Sequence, residues 1–144
     1  MKKKAVSNGA SRIWVLIPAV VFADQFLKFL ALRYLHDIVV INQKLAFSIS
    51  TQSVSSKLLS ILTLIIIVCF AYIAKKRISR AAVSLVVAGA TSNFIDRIFH
   101  GGVVDFINFK IWPIFNLADV AITLGLAWIL IDLLLRPSSS QQFS

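Results

Sequence analysis

Residues 81–99, AAVSLVVAGATSNFIDRIF, carry the pattern that decides the fold. The first half of this stretch is small and apolar, and the second half brings Asn93, Asp96 and Arg97 into a hydrophobic run. About 20 mostly apolar residues are enough to cross the hydrocarbon core of a bilayer. The spacing i, i+3, i+4 places the three polar side chains on one face of a helix. We therefore predict a membrane-spanning helix over 81–99 with a polar face near its end.

Three further stretches have a comparable length and apolar character, at about residues 13–32, 58–74 and 116–135. The second of the three has no charged residue, whereas the first contains Asp24 and Lys28. Four spans of about 20 residues leave no room for a separate soluble domain. The sequence therefore predicts one all-α membrane domain over residues 1–144, with four transmembrane helices.

The composition excludes the common soluble classes. Hydrophobic residues make up 58% of the chain and charged residues 15%, whereas a soluble domain carries about 25% charged residues. The net charge is +9, and most Lys and Arg lie before the first span, between the second and third, or after the fourth. The positive-inside rule then predicts that both termini are cytoplasmic. The charge is explained by orientation and anionic lipid, so we expect no nucleic-acid partner.

The segments between the spans include short extended stretches. Residues 44–50 alternate apolar and polar side chains, which is typical of a half-buried strand, and the β-branched run 38–41 is a candidate partner for it. Gly101 and Gly102 are predicted to end the third helix, because Gly tolerates the left-handed conformation at a helix end. Residues 103–109 are predicted to be extended.

All six acidic residues are Asp, and a charged group at membrane depth is a functional hypothesis by default. Asp37 is expected to be solvated, and Asp132 to form an interfacial ion pair with Arg136. Asp24 lies four residues before Lys28, which indicates either a structural ion pair or an acid that orients a nearby reaction site. The polar face of residues 93–97 indicates either a structural network or direct contact with a substrate.

Asp105 and Asp119 are the pair we select for chemistry. Asp119 lies in the first turn of the fourth span with Asn116 as its candidate N-cap, which alone is a sufficient structural reason for both. Asp105 interrupts an apolar run without such a reason. The two acids bracket one short outer loop, so we expect them to lie near Asp96 at one depth. Two neighbouring carboxyl groups differ in pKa, and one then acts as general base and the other as general acid.

Two other classes of function stay open at this point. A small transporter or proton relay would use Asp24, Lys28 and Asp96 along a path through the membrane, and a purely structural subunit would need no chemistry at all. Neither a metalloprotease, a Walker A nor a nucleophile-elbow motif is present in the sequence, so we predict no metal and no cofactor.

Five motifs occur in order along nearly the whole chain: Asp24-Gln25-Phe26-Leu27-Lys28, Asn42-Gln43-Lys44-Leu45-Ala46-Phe47-Ser48, Gly89-Ala90-Thr91-Ser92-Asn93-Phe94-Ile95-Asp96-Arg97, Val103-Val104-Asp105-Phe106 and Phe115-Asn116-Leu117-Ala118-Asp119. Together they resemble the motifs of the bacterial lipoprotein signal peptidases, also called signal peptidase II. Lys44 and Ser92 stand where that family has Gly, and the loop between Asp105 and Asp119 is shorter than expected.

The resemblance implies an integral-membrane aspartic endopeptidase with four transmembrane helices and a small extracytoplasmic β-platform. Such an enzyme cleaves signal peptides from diacylglyceryl-modified prolipoproteins at the outer face of the bacterial cytoplasmic (inner) membrane. It implies Asp105 and Asp119 as the catalytic pair, without a cofactor. The expected partners are prolipoprotein signal peptides and membrane lipids, and we expect a monomer. The supporting or substrate-binding residues implied are Asp24, Asn42, Asn93, Asp96, Arg97 and Asn116.

Overall fold

The computed structural model describes residues 14–35, 37–42, 61, 65 and 78–135. Within these residues the elements are, in order, α1 (Leu16–Tyr34), β1 (Val40–Asn42), α2 (Arg80–Phe99), β2 (Val103–Asp105) and α3 (Leu117–Leu135). The three helices coincide with the first, third and fourth predicted spans to within a few residues. The second predicted span, 58–74, lies outside the described residues except at Ile61 and Ile65, as do both chain ends.

The described helices bury charged side chains and expose apolar ones, as the helices of membrane proteins do. Asp24, Lys28 and Asp96 are at most 2% exposed, whereas Leu134 on α3 is 74% exposed. Helices α2 and α3, with mean hydropathies of 1.2 and 2.0, are long and apolar enough to cross a membrane. A protein that folds in water does the reverse and keeps most charged side chains at its surface. The apolar outer faces of these helices suit a hydrocarbon solvent.

Helices α2 and α3 pack closely because small residues lie at their contact. A Cβ atom added at Gly125 of α3 would lie 2.7 Å from the backbone oxygen of Ala82 and 2.6 Å from a methyl carbon of Val86. Gly89 of α2 likewise faces the backbone of Ala118. Small residues let helix backbones approach each other in membranes. The position of Ala118, and therefore of the first turn of α3, depends on this contact.

We expect Gly125→Ala to destabilise the protein by about 1–3 kcal/mol, as overpacking a close contact usually does. The added methyl group would meet the α2 backbone, which has no rotamer with which to move away. Thermal unfolding of the purified protein in detergent micelles measures the effect. The matched control is Leu130→Ala on the same helix, because Leu130 is 57% exposed. Equal unfolding temperatures for wild type and Gly125→Ala would contradict the close packing.

The end of α2 follows the sequence prediction. The helix ends at Phe99, and Gly101 has a φ of +73°, in the left-handed region that favours Gly. The chain then turns directly into β2. Asp96 in the last turn of α2 is thereby brought close to β2, seven to nine residues later in the chain.

A two-stranded antiparallel sheet carries Asp105. Strand β1 pairs with β2 in the register Val40 with Asp105 and Asn42 with Val103. A bridge between Ile107 and Phe115 closes a hairpin that leads from β2 to α3. The extended segment after Gly102 is confirmed for residues 103–105, whereas no pattern in the sequence predicts that β1 pairs with β2. The partner suggested from the sequence, residues 44–50, lies outside the described residues.

Candidate active site

Asn116 links the two acids selected from the sequence. Its side-chain nitrogen donates to Asp105 Oδ1 at 2.7 Å. Its side-chain oxygen accepts from the backbone N–H of Asp119 at 2.9 Å. The predicted N-cap is therefore confirmed, since a cap side chain accepts from an amide of the first helical turn. The same residue that starts α3 also holds the carboxyl group at the end of β2.

Two further Asn side chains each donate to the carboxyl group of one of these acids. Asn93 Nδ2 of α2 donates to Asp119 Oδ1 at 2.8 Å, and Asn42 Nδ2 of β1 donates to Asp105 Oδ2 at 3.1 Å. Asn116 Nδ2 also approaches Asn93 Oδ1 at 3.3 Å. Each carboxyl group thus has fixed donors on one side, and hydrogen bonds of this kind preorganise a site for chemistry.

A buried ionic cluster adjoins this network. Lys28 Nζ lies 2.6 Å from Asp24 Oδ2 and 2.6 Å from Asp96 Oδ2, and it donates to Asn93 Oδ1 at 3.1 Å. Gln25 Nε2 donates to Asp96 Oδ1 at 2.8 Å, and the Ser92 hydroxyl donates to Asp24 Oδ2 at 2.6 Å. The acid and base of α1 therefore form an ion pair, as the sequence suggested, and Asp96 joins it from α2.

Burial raises the pKa of Asp105 to about 6. The residue is 4% exposed, so its ionised form has lost most of its hydration. The negative charge of Asp119 raises the pKa further, whereas hydrogen bonds from Asn42 and Asn116 and the positive charge of Lys28 lower it. Asp105 therefore carries a proton in an appreciable fraction of molecules near neutral pH, which an ordinary Asp does not.

The structure brings the predicted site residues together. Hydrogen bonds form a continuous chain that runs through Asn42, Asp105, Asn116, Asp119 and Asn93. Lys28 connects Asp24 and Asp96 to this chain. Arg97 donates to the backbone oxygen of Asn93 at 3.3 Å. In the described part of the chain, no three His, Cys, Asp or Glu side chains converge as ligands of a metal would; the expectation of a metal-free site stays a prediction.

Two Asp residues lie apart from the predicted site, and three further polar residues join its hydrogen-bond network. Asp37 is exposed, as expected. Asp132 accepts from the backbone N–H of Ser79 at 2.6 Å, while its predicted partner Arg136 lies outside the described residues. Lys28, Gln25 and Ser92 belong to the polar network but were not selected as site residues. The i, i+4 spacing of Asp24 and Lys28 was the available signal, whereas the contacts of Gln25 and Ser92 join different helices.

Comparison with known proteins gives one family. The family model for signal peptidase (SPase) II matches residues 16–135. A lipoprotein signal peptidase of Moorella thermoacetica is 42% identical over 82 residues, or 56% of this chain and 54% of that protein. One of Staphylococcus haemolyticus is 41% identical over 91 residues, or 58% of this chain and 57% of that protein. The chain thus aligns with little more than half the length of these curated relatives.

Solved structures match over a longer range. A bacterial membrane enzyme determined by the in meso method at 2.3 Å resolution has a TM-score of 0.72 and 29% identity, covering 93% of this chain and 94% of its own. A second structure of the same description, at 1.9 Å resolution, has a TM-score of 0.68 and 29% identity, covering 88% and 95%. These similarities favour a peptidase over the transporter or proton relay.

Proposed function

Because the chain belongs to the signal peptidase II family, we propose that it is an aspartic endopeptidase that cleaves lipoprotein signal peptides with Asp105 and Asp119. The observation that carries the proposal is the double role of Asn116, which donates to the Asp105 carboxyl group and accepts from the Asp119 amide. A single buried side chain thereby ties the Asp105 carboxyl group to the backbone of Asp119. Paired carboxyl groups held in this way can divide the roles of acid and base.

We assign Asp119 as the general base and Asp105 as the general acid. The pKa of about 6 for Asp105 favours its protonated form more than in an ordinary Asp. Asp119 lies in the first turn of α3, where the helix dipole favours a negative charge. Asn93 donates to it, which suits an ionised acceptor. The two groups titrate as a pair, so the assignment names the microscopic state from which the reaction starts.

The hydrolytic step follows from these roles. A water molecule loses a proton to Asp119 and attacks the carbon of the scissile carbonyl. Asp105 donates its proton to the carbonyl oxygen, which gives a neutral tetrahedral diol and leaves Asp105 ionised and Asp119 protonated. When the C–N bond breaks, the proton on Asp119 passes to the leaving amine and a diol proton returns to Asp105. Both acids thereby regain their starting states.

The proposed substrate is a diacylglyceryl-modified prolipoprotein that enters laterally from the bilayer. The apolar outer faces of α2 and α3 support a location in a membrane, which we propose is the bacterial cytoplasmic membrane. We propose four spans, cytoplasmic termini and an extracytoplasmic β-platform that includes β1 and β2. The paired acids lie where α3 begins and β2 ends, so the scissile bond would be at the outer interface. We propose that the enzyme acts as a monomer.

The test of the proposed substrate is cleavage of one precursor with and without the diacylglyceryl group. We expect the reconstituted protein to cut the lipidated precursor at least about 100-fold faster, because the acyl chains would hold the peptide beside the acids. Asp37→Asn is the matched control, since Asp37 is an exposed acid away from the pair. Equal rates for the two precursors would contradict the proposed substrate, and ion flux without cleavage would favour the transporter.

We expect Asn42→Ala to move the alkaline limb of the pH profile of kcat/KM to higher pH. The Asn42 amide donates to the Asp105 carboxyl group and lowers its pKa, so its removal raises that pKa above about 6. A general acid must be protonated, and activity therefore falls as pH rises through its pKa. The pH profile of precursor cleavage measures the shift. Asn108→Ala is the control, and an unmoved or lowered limb in Asn42→Ala would contradict the role of Asp105.

A further inference from the structure

The ammonium group of Lys28 has more partners than a simple ion pair on α1 requires. Its side chain is 2% exposed, although it is among the most hydrophilic side chains in the protein. An ammonium has three donors, and the structure gives it three acceptors, one each from Asp24, Asp96 and Asn93. Two of these acceptors belong to α2. Lys28 therefore joins α1 to α2 by charge in the interior of the protein.

Both acids of this cluster also accept a backbone amide. Asp24 Oδ1 accepts from Ala118 N at 2.8 Å, and Asp96 Oδ2 accepts from Val104 N at 3.1 Å. Ala118 is the residue before Asp119, and Val104 is the residue before Asp105. Each acid thus fixes the backbone next to one member of the proposed catalytic pair.

The third partner of Lys28 leads to the same pair. Asn93 Oδ1 accepts from Lys28 and Asn116, and therefore its amide nitrogen is the group that donates to Asp119 at 2.8 Å. A reversed Asn93 amide would place its NH2 group against the ammonium and its oxygen against a carboxylate. The charge of Lys28 consequently sets the orientation of Asn93.

We propose that Lys28 is a positioning residue, the ionic centre of a clamp through Asp24, Asp96 and Asn93 that sets the separation and orientation of the Asp105 and Asp119 carboxyl groups. This inference rests on the proposed function and extends it to a residue that does not touch the substrate. The clamp explains why a membrane helix keeps a buried Lys: without it, two carboxylates from adjacent helices would repel each other. Displacement of a catalytic group by about 1 Å can lower a rate by about 100-fold.

The clamp also has an electrostatic consequence for Asp105. Its charged neighbours are Asp119 on α3, Arg97 on α2 and Lys28 on α1. Of these, Lys28 lowers the pKa of Asp105 and Asp119 raises it. Removal of the Lys28 charge would therefore raise this pKa. Loss of stability alone would not move the pH profile of the molecules that remain folded.

The first test is Lys28→Met, which keeps an unbranched side chain and removes the ammonium. We expect kcat for a lipidated precursor to fall about 100-fold, with KM changed by less than about threefold. We also expect the alkaline limb of kcat/KM to move to higher pH. The matched control is Asp132→Asn, which alters another buried charge that accepts a backbone amide, at Ser79. This control should retain the wild-type kcat and pH profile.

A second variant separates charge from positioning, and it avoids the unbalanced buried carboxylate that Lys28→Met leaves behind. Lys28→Met combined with Asp24→Asn removes one positive and one negative charge, so the cluster keeps its net charge while the ionic link is lost. We expect its alkaline limb to return towards the wild-type position and its kcat to stay low. Wild-type kcat in this double variant would overturn the clamp.

The outcomes also distinguish the clamp from the proposed function. If wild type cleaves the precursor, Asp119→Asn does not, and Lys28→Met has normal kcat and pH profile, the clamp is wrong and the catalytic pair stands. If Lys28→Met loses activity with an unmoved limb and Asp132→Asn loses it equally, Lys28 has a structural role only and the clamp is again wrong. If wild type itself cleaves no precursor, the proposed function is wrong.

Discussion

Replacing either Asp105 or Asp119 by Asn is expected to lower the rate of precursor cleavage by roughly 10²- to 10⁴-fold, the contribution of a positioned general acid or base. The Asn side chain keeps the size of Asp and one oxygen that accepts hydrogen bonds, but it can neither accept nor supply the proton that the reaction moves. Single-turnover cleavage of a lipidated precursor by the purified variants in micelles measures the loss.

The Asp105→Asn variant is expected to fold at least as well as wild type. A folded-state pKa of about 6, above the value of 3.8 in water, means that folding favours the protonated form. The stability that protonation contributes is fully present below about pH 4 and is lost as pH rises to about 6. Asn has no charge to desolvate, so it avoids this loss at neutral pH. A lost activity together with an unchanged or raised unfolding temperature separates chemistry from folding.

Asn116→Ala is expected to lower kcat by about 100-fold, because both acids lose a fixed partner at once. Asn116 has no exposed surface, so its removal leaves the Asp105 carboxyl group and the Asp119 N–H without this buried partner. The same change removes the N-cap of α3, which costs about 1 kcal/mol of stability. The rate of precursor cleavage and the unfolding temperature should both be measured on this variant.

Asn116→Ser separates the two effects of this residue. Ser is a good N-cap, so α3 should keep its start and the protein its stability. Its hydroxyl is shorter than the Asn amide and cannot reach both Asp105 and the Asp119 N–H, so kcat should stay low. Asn108→Ala is the control, because Asn108 is exposed and its side chain contacts only the Lys110 amide in the described residues. Full activity of Asn116→Ser would show that the link to Asp105 is dispensable.

The helices were predictable because their signals are local. Residues 81–99 carry an apolar run of the right length that a Gly pair follows at 101 and 102, and the observed helix ends at Phe99. The cap at Asn116 follows from its distance to Asp119 in the chain. Apolar length, caps and Gly positions are read within a few residues of each element, so the three described helices could be placed closely.

The contacts between distant residues were only partly predictable. The bracketing of one short loop by Asp105 and Asp119 placed the two acids together, as the structure has them through Asn116. The pairing of Val40 with Asp105 joins residues 65 positions apart, and no local pattern specifies such a register. Lys28 shows the same limit: its spacing identified Asp24 as a partner, whereas Asp96 is on another helix and is reached only after packing.

The most direct test of the central claim, that Asp105 and Asp119 act as one catalytic unit, is the cleavage rate of the Asp105→Asn and Asp119→Asn double variant beside both single variants. Residues that act together are strongly non-additive. We therefore predict that all three variants cleave a lipidated precursor at residual rates within about tenfold of one another. A double variant slower by the product of the single losses, or a single variant that keeps wild-type activity, would contradict the account.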